Sequence, residues 1–394
     1  MSDFKQNQSK NFAIDLDYQQ CTRCVMDTSA KNITFDENGV CNFCSEFLSR
    51  SSCVIHEDLK DKRLRLNSLL SIVKSSGRGK PYDCIVGVSG GADSSWALMK
   101  AVELGLRPLA VHMDNGWNSE LAQNNIANLV KELCVDLYTH VIDWAEYRAL
   151  MQAFFDADVI DVELLYDNAM QSVCYNQAQK FGIKYILAGT NQSTEGMSMP
   201  TGWNWYKRDL RNIKAIAKRF GNVKIKSFPT FSTLDFIVFE FIHQIHWISF
   251  LDFFPYTKLG ALNDLEKGYR YRRYPFKHYE SVFTRFYQGY LLPYKFGVDK
   301  RLLHLGTLVA SGQMTREEAI EGLNGIPYPS QYDLESDITY FLKKMGWSNM
   351  DLEAYILRPA IPHDNYASET RFIRFFSRFI SLEFISSLKK WLQR

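Results

Sequence analysis

The sequence predicts an α/β protein built on a doubly wound parallel sheet. Three observations predict it. Between residues 83 and 226, short continuously apolar runs alternate with longer runs of helical period. Strands of that kind are buried on both faces, which a parallel sheet covered by helices provides. A glycine pair, Gly90-Gly91, stands where the first apolar run meets a helix-like run. Finally, the chain has 394 residues, 46% hydrophobic and 23% charged, so it can bury a large core and divide into domains.

The elements follow in order. The charged stretch 59–74 reads as a helix ending in the turn-like SSGRGKP. Strands are expected at 85–88, 108–112, 137–142 and 184–188, with 223–226 as a fifth. Helices are expected at 94–104, 121–133, 145–156 and 164–181. Right-handed crossovers then place ligands at the carboxyl ends of the strands. Beyond about residue 255 the chain reads as mostly helical and rich in Tyr, Phe and Arg. The expected division is 1–50 for a cysteine module, 51–82 for a connecting helical segment, 83–255 for the sheet domain and 256–394 for a helical substrate or partner region.

Composition excludes some functions. A formal net charge of +2 lacks the basic signature of a nucleic-acid binder, so no nucleic acid is expected as a partner. The polar N-terminus has no apolar core of a signal peptide, and a cytoplasmic location is expected. The most apolar stretch, 236–256, is interrupted by Glu240, His243, Gln244, His246 and Asp252, which argues against a membrane span.

The chemistry concentrates in Ser89-Gly90-Gly91-Ala92-Asp93-Ser94-Ser95, between a buried strand and a helix. Two glycines permit a tight backbone close to a ligand. Backbone N–H groups at a helix start favour an anion, and serine hydroxyls add donors. The spacing is neither a Walker A loop nor GxGxxG. At the ends of later strands stand Asp114 and, in LAGTNQSTE, Gly189, Thr190, Asn191, Thr194 and Glu195. In a doubly wound sheet these edges converge on one crevice. Read singly, each of these edge residues could equally be a turn or cap residue.

The cysteines point to a metal. Cys21, Cys24, Cys41 and Cys44 follow C-x2-C-x16-C-x2-C, the spacing of a structural Zn²⁺ site with no open position. Asn38-Gly39 between the pairs is a hairpin-turn signal, so the module is expected to be ribbon-like. The other cysteines lack paired spacing and read as core or incidental thiols.

SGGADSS resembles the SGGxDS loop of the PP-loop pyrophosphatases, which cleave ATP to AMP and pyrophosphate. The resemblance implies that Ser89, Gly90, Gly91, Ser94 and Ser95 cradle phosphates and that Asp93 and Glu195 support Mg²⁺. It implies nucleotide-binding roles for Asp114, Gly189, Thr190 and Asn191. A wider set, CTRCVMDTSAKNITFDENGVCNFC, VGVSGGADSS, DNGWNSELAQNNIANLVKEL, LAGTNQSTEG and KHYESVFTRFYQGYLLPYKFGVDKR, is similar to the N-acetyl sugar amidotransferase family (WbpG/PseA-like) of surface-polysaccharide biosynthesis, including lipopolysaccharide O-antigen. That family implies an ATP-dependent ligase that adenylates the amide oxygen of a nucleotide-linked N-acetyl sugar. Ammonia then replaces the oxygen to give an acetamidino group. No cysteine lies in an obvious nucleophile elbow and residue 2 is Ser, so ammonia is expected from a partner. The resemblance implies that this partner is a HisH-like glutaminase with a HisF-like barrel subunit.

On the substrate side, Lys277, His278, Glu280, Thr284 and Arg285 would share about two and a half turns if this stretch is helical. Lys277, His278 and Arg285 are then expected to bind a sugar-nucleotide pyrophosphate or adenylate, with His278 shuttling protons. Lys277 with Glu280 could equally be a surface ion pair. Lys295, Asp299 and Arg301 belong to the same run with weaker roles, and Asp167 could touch substrate or cap a helix. Tyr274-Pro275-Phe276 stands where relatives are expected to carry small residues, which would reshape the pocket entrance. The tail 371–392 is amphipathic, basic and aromatic, and could lie on a membrane surface or pack in its own domain or against a second copy. Two rivals stay open: a thiolase-like tRNA-modifying PP-loop enzyme, and a non-catalytic zinc-ribbon assembly subunit.

Overall fold

The computed structural model describes residues 18–221, 223–275, 277 and 279–370. Helices α1 (Asn42–Ile55) and α2 (Leu59–Ser76) precede the sheet. The chain then runs β1 (Cys84–Gly87), α3 (Ala92–Glu103), β2 (Pro108–Asp114), α4 (Glu120–Leu133), β3 (Leu137–Val141), α5 (Trp144–Asp156) and α6 (Leu164–Lys180). It continues through β4 (Tyr185–Ala188), the one-turn α7 (Gln192–Glu195), α8 (Leu210–Phe220), α9 (Thr233–Ile237) and β5 (His246–Ser249). Every pairing is parallel and the strand order is β3-β2-β1-β4-β5. The order reverses between β1 and β4, so the SGGADSS loop leaves the sheet at its topological switch point.

Alternate strand residues divide between two cores, as the period of two requires. Cys84, Val86 and Ala110 pack with Leu70 of α2, Leu98 of α3 and Leu129 of α4. Ile85, Val111 and Ile186 face the other way, onto Leu150 of α5 and Val173 of α6. Both faces of the central strands are therefore covered, and β1 and β4 read as unbroken apolar runs for that reason.

The fifth strand is not 223–226 but His246–Ser249, paired with β4 from Tyr185↔His246 to Ala188↔Ser249. The backbone N–H groups of Lys226, Ser227 and Phe228 all donate to the Glu146 carboxylate, so a side chain takes the donors a strand would need. The apolar stretch 236–256 splits into helical turns, β5 and a 3-10 turn. Its interruptions are structural: buried Glu240 accepts from Tyr175 Oη at 2.6 Å, His246 Nδ1 at 3.0 Å and Trp247 N at 3.2 Å. Among the described residues no helix is long and apolar enough to cross a membrane. The amphipathic tail 371–392 lies outside the described residues.

The C-terminal region is helical: α10 (Lys258–Tyr269), α11 (Val282–Phe286) running on as a π-helix over Tyr287–Phe296, α12 (Lys300–Ala310), α13 (Arg316–Leu323), α14 (Gln331–Met345) and α15 (Asn349–Leu357). Lys277 and Glu280 do not share a helix with Thr284 and Arg285. The helix begins only at Val282, where Ser281 Oγ caps it by accepting from Thr284 N at 3.2 Å. Upstream, the backbone instead bridges to the loop after β2: Ser119 N donates to Glu280 O at 2.9 Å and Val282 N to Trp117 O at 2.8 Å.

Arg285 lines none of the cavities described below and clamps Asp337 with Nε at 2.5 Å and Nη2 at 2.6 Å. Asp337 is only 3% exposed and takes a third bond from Tyr328. Removing one member strands a buried charge, which costs about 3–5 kcal/mol. Arg285→Met is therefore expected to lower the melting temperature in calorimetry while nucleotide affinity stays unchanged. Adding Asp337→Leu is expected to recover most of the loss. Lys295 also serves the fold, with its ammonium on Asp158 and two carbonyls, and Asp299 caps α12 and pairs with Arg301.

Candidate active site

The loop's geometry follows from its glycines. Gly90 has φ of +84°, a left-handed conformation, and a Cβ there would meet the Ala122 backbone oxygen at 2.9 Å. Its carbonyl accepts from Tyr271 Oη at 3.1 Å and Tyr274 Oη at 2.9 Å. The bulky residue before Lys277 thus bolts the loop down, and Tyr274 and Pro275 also line the cavity; Phe276 lies outside the described residues. Gly91 is the N-cap of α3 and presents the helix N-terminus to the cavity. Ser89 and Ser94 hydroxyls lie 3.1 Å apart, and Ser89 Oγ accepts from Gly91 N at 3.2 Å.

A cavity of about 580 Å³ lies over this loop, within the range of small-ligand sites. Ser89, Gly91, Asp93, Ser94, Gly189, Thr190, Thr194, Glu195, Lys277 and Glu280 all line it, so the loops after β1 and β4 and the 277–280 segment converge there. Gly189 is obligatory, because a Cβ would fall 2.7 Å from Ser94 N. Three other predicted residues are placed differently. The Ser95 side chain is fully buried and lines no described cavity. Asn191 caps α7 by accepting from Thr194 N. Asp114 closes its own turn, accepting from Gly116 N at 2.8 Å and Asn118 Nδ2 at 3.2 Å. His278 lies outside the described residues.

Asp93 is held on both sides. Tyr256 Oη donates to Oδ1, and Lys258 Nζ lies 2.9 Å from Oδ2. Burial alone would raise this carboxyl, but the charges of Lys258 and Lys277, with those hydrogen bonds, hold it below the usual range. Burial opposes the Lys258 charge, and Asp93 more than restores it. Glu195 pairs with Lys277 at 3.1 Å. Both carboxylates are hard oxygen donors suited to Mg²⁺. No sequence spacing flagged Lys258 or Tyr256; they reach the loop through the turn that starts α10.

A second cavity of about 690 Å³ adjoins the first, sharing Ser89, Tyr166, Glu195, Lys277, Glu280 and His304. Its far wall is charged. Lys207 bridges Asp161 at 2.7 Å and Asp167 at 2.8 Å, and Lys300 pairs with Glu163 at 2.9 Å. Asp167 lines the cavity and does not cap α6, whose N-cap is Glu163. Burial raises the Asp167 carboxyl, with Lys207 opposing and Glu163 adding to the rise. His304 and Lys207 carried no motif in the sequence, and Lys300 lay in the quoted 277–301 run without an assigned role; tertiary packing brings all three here.

The four predicted cysteines form one buried cluster, with all sulfurs within 4.8 Å of one another. A tetrahedron with Zn–S bonds of about 2.3 Å has edges of about 3.8 Å. Cys24 Sγ lies 3.8 Å from Cys41 Sγ, and Cys21 Sγ lies 4.0 Å from Cys44 Sγ. Backbone N–H groups of Cys24, Met26, Cys41 and Cys44 point at the sulfurs within 3.4 Å, as thiolates require. The donor set fits zinc. Gly39, at φ of +76°, makes the expected turn, and Phe35 bridges Cys41. The module is tied to the site: Ser51 Oγ bonds Gln192 and Arg50 bonds Gly196 O, on either side of Glu195. Arg316 of α13 holds the carbonyls of Cys21 and Cys24.

Residues 280–380 match the family model described as LPS biosynthesis protein WbpG-like, C-terminal domain. The match spans about a quarter of the chain. Within the matched residues, Glu280, Thr284, Gln288, Lys300, His304 and Thr307 line the second cavity, so this stretch supplies much of the wall facing the loop. Comparison with curated proteins gives no match. Two solved structures show low similarity. One is an NMN synthetase from Francisella tularensis, at 16% identity and TM-score 0.29, covering 56% of this chain and 99% of that one. The other is an NH3-dependent NAD synthetase from Campylobacter jejuni, solved with nitrate, at 14% identity and TM-score 0.26, covering 65% and 97%.

Proposed function

We propose that this protein is an ATP-dependent amidotransferase acting on a nucleotide-linked N-acetyl sugar in surface-polysaccharide biosynthesis. One observation carries the reading: the SGGADSS cavity adjoins, and shares lining residues with, a second cavity lined in part by the stretch that matches the WbpG-like domain. In this reading the loop amides and the α3 N-terminus hold the pyrophosphate portion of ATP. Asp93 and Glu195 hold Mg²⁺, which supplies charge neutralisation at the phosphates. The amide oxygen attacks the α-phosphorus, the α–β bond breaks and pyrophosphate leaves. Ammonia adds to the activated amide carbon, and AMP departs with the oxygen. A Cβ on Gly91 would lie 3.3 Å from Glu280 Oε1, so that carboxylate stands over the loop, where it is placed to take a proton from the attacking nitrogen. Ammonia comes from a partner glutaminase of the HisH-like kind with its HisF-like barrel.

The sulfur-transfer alternative needs a reactive thiol near the loop. Burial raises the Cys84 thiol and pushes that of Cys174 up to about 12, which removes thiolate character from both. The test supplies ATP, Mg²⁺, high ammonium and a panel of UDP- and CMP-linked N-acetyl sugars. AMP together with a product in which NH replaces O, seen by mass spectrometry, is the expected result. No AMP across the panel, with tRNA thiolation positive, would overturn the reading.

A further inference from the structure

Of the three carboxylates that line the loop cavity, Asp93, Glu195 and Glu280, two are held by lysines, Asp93 by Lys258 at 2.9 Å and Glu195 by Lys277 at 3.1 Å. All four side chains line the same cavity. The loop hydroxyls of Ser89 and Ser94 also satisfy one another. Asp93 and Glu195, the two residues suited to hold the cation, are therefore each occupied by a neighbour of opposite charge.

This arrangement opposes both ions taken singly. A bare divalent cation meets carboxylates whose charge two ammonium groups offset. A bare polyphosphate meets ammonium groups whose charge two carboxylates offset. A cation bound to a polyphosphate matches both sets at once. Lysine suits such an exchange, because its ammonium is a point charge on a flexible four-carbon stem, whereas a bidentate arginine would be fixed. Tyr256 stays on Asp93 Oδ1 and keeps the carboxylate oriented while Oδ2 changes partner.

We infer that Lys258 and Lys277 are nucleotide-contacting residues that exchange partners, leaving Asp93 and Glu195 for the phosphates of ATP as the cation arrives with the nucleotide. This rests on the ATP reading above. It goes beyond it by making the free cation a poor ligand of the protein and by assigning two phosphate contacts.

The test uses the full chain and its Lys258→Met and Lys277→Met variants. Binding of Mn²⁺ alone is followed by electron paramagnetic resonance, and binding of α,β-methylene-ATP with Mg²⁺ by calorimetry. Each variant is expected to bind Mn²⁺ alone roughly tenfold more tightly and the analogue at least about tenfold more weakly. Opposite signs cannot come from a damaged fold. The Lys277 pair is partly exposed, so that variant keeps the test valid even where Lys258→Met misfolds. If a folded variant shows both affinities falling, or either one unchanged, the exchange is overturned while the ATP reading stands. No binding of the analogue by the wild type overturns both.

Discussion

Asp93→Asn is expected to cut AMP formation by about 10²–10³-fold at saturating substrates while the chain stays folded. The size follows from the position. Asp93 lies in the first turn of α3, at the switch point of the sheet, and its carboxylate faces the cavity. Asparagine keeps the shape and can accept the Tyr256 hydrogen bond, so the loop should hold its course. It removes the one negative charge that Lys258 and a phosphate-bound cation both need. Lys258 is then left in the cavity wall without its partner, at a cost moderated by its 33% exposure. A thermal melt within a few degrees of wild type, with the assay rate collapsed, is the expected pair of results. An unchanged rate would remove Asp93 from the chemistry and the loop from its assigned role.

Cys44→Ser is expected to lose zinc, lower the melting temperature by roughly 10 °C and reduce activity together with stability. Metal analysis of the wild type should give about one zinc per chain, since four thiolates make one closed tetrahedral shell. The module is fastened into the main body. Cys21, Cys24, Cys41 and Cys44 belong to the same buried core as α5 and α6. Phe47 of α1 would meet a Cβ on Gly196 at 2.7 Å, so α1 packs hard against the segment carrying Glu195. Loss of the metal therefore loosens one wall of the active site without touching the chemistry directly. A chelator added to the wild type should reproduce the effect, and zinc should reverse it. A Cys44→Ser chain that melts with the wild type would show that the cluster contributes no fold energy.

The two segments differ in how well the sequence announced them. The cysteine pairs and the SGGADSS loop are local: their geometry is decided by glycine conformations, a helix start and short spacings, all within a few residues. The strands β1, β2 and β4 were legible because both their faces are buried, so their runs are almost wholly apolar, whereas the edge strand β3, Leu137–Val141, is exposed or half-buried along its length. β5 was missed because an edge strand with every residue half-buried carries no such run, while 223–226 imitated one. What excluded 223–226 was the Glu146 carboxylate, 80 or more residues away in sequence. Arg285 was read as a phosphate ligand from its neighbours in KHYESVFTRF, and its partner Asp337 is 52 residues further on.

By itself, the sequence determined the fold class, the metal ligand set and the loop that the ATP reading rests on, because each depends on contacts between near neighbours or on burial that repeats along a strand. Tertiary structure alone decided which charges meet that loop. Lys258 and Tyr256 come from the start of α10, Lys277 and Glu280 from the turn residues before the Asn118–Ser281 bridge, and His304 and Lys300 from α12. A lysine's reach and a carboxylate's need for a partner leave no period in a sequence. They are settled only when packing brings distant segments within a few ångströms and a charge buried there must find its opposite.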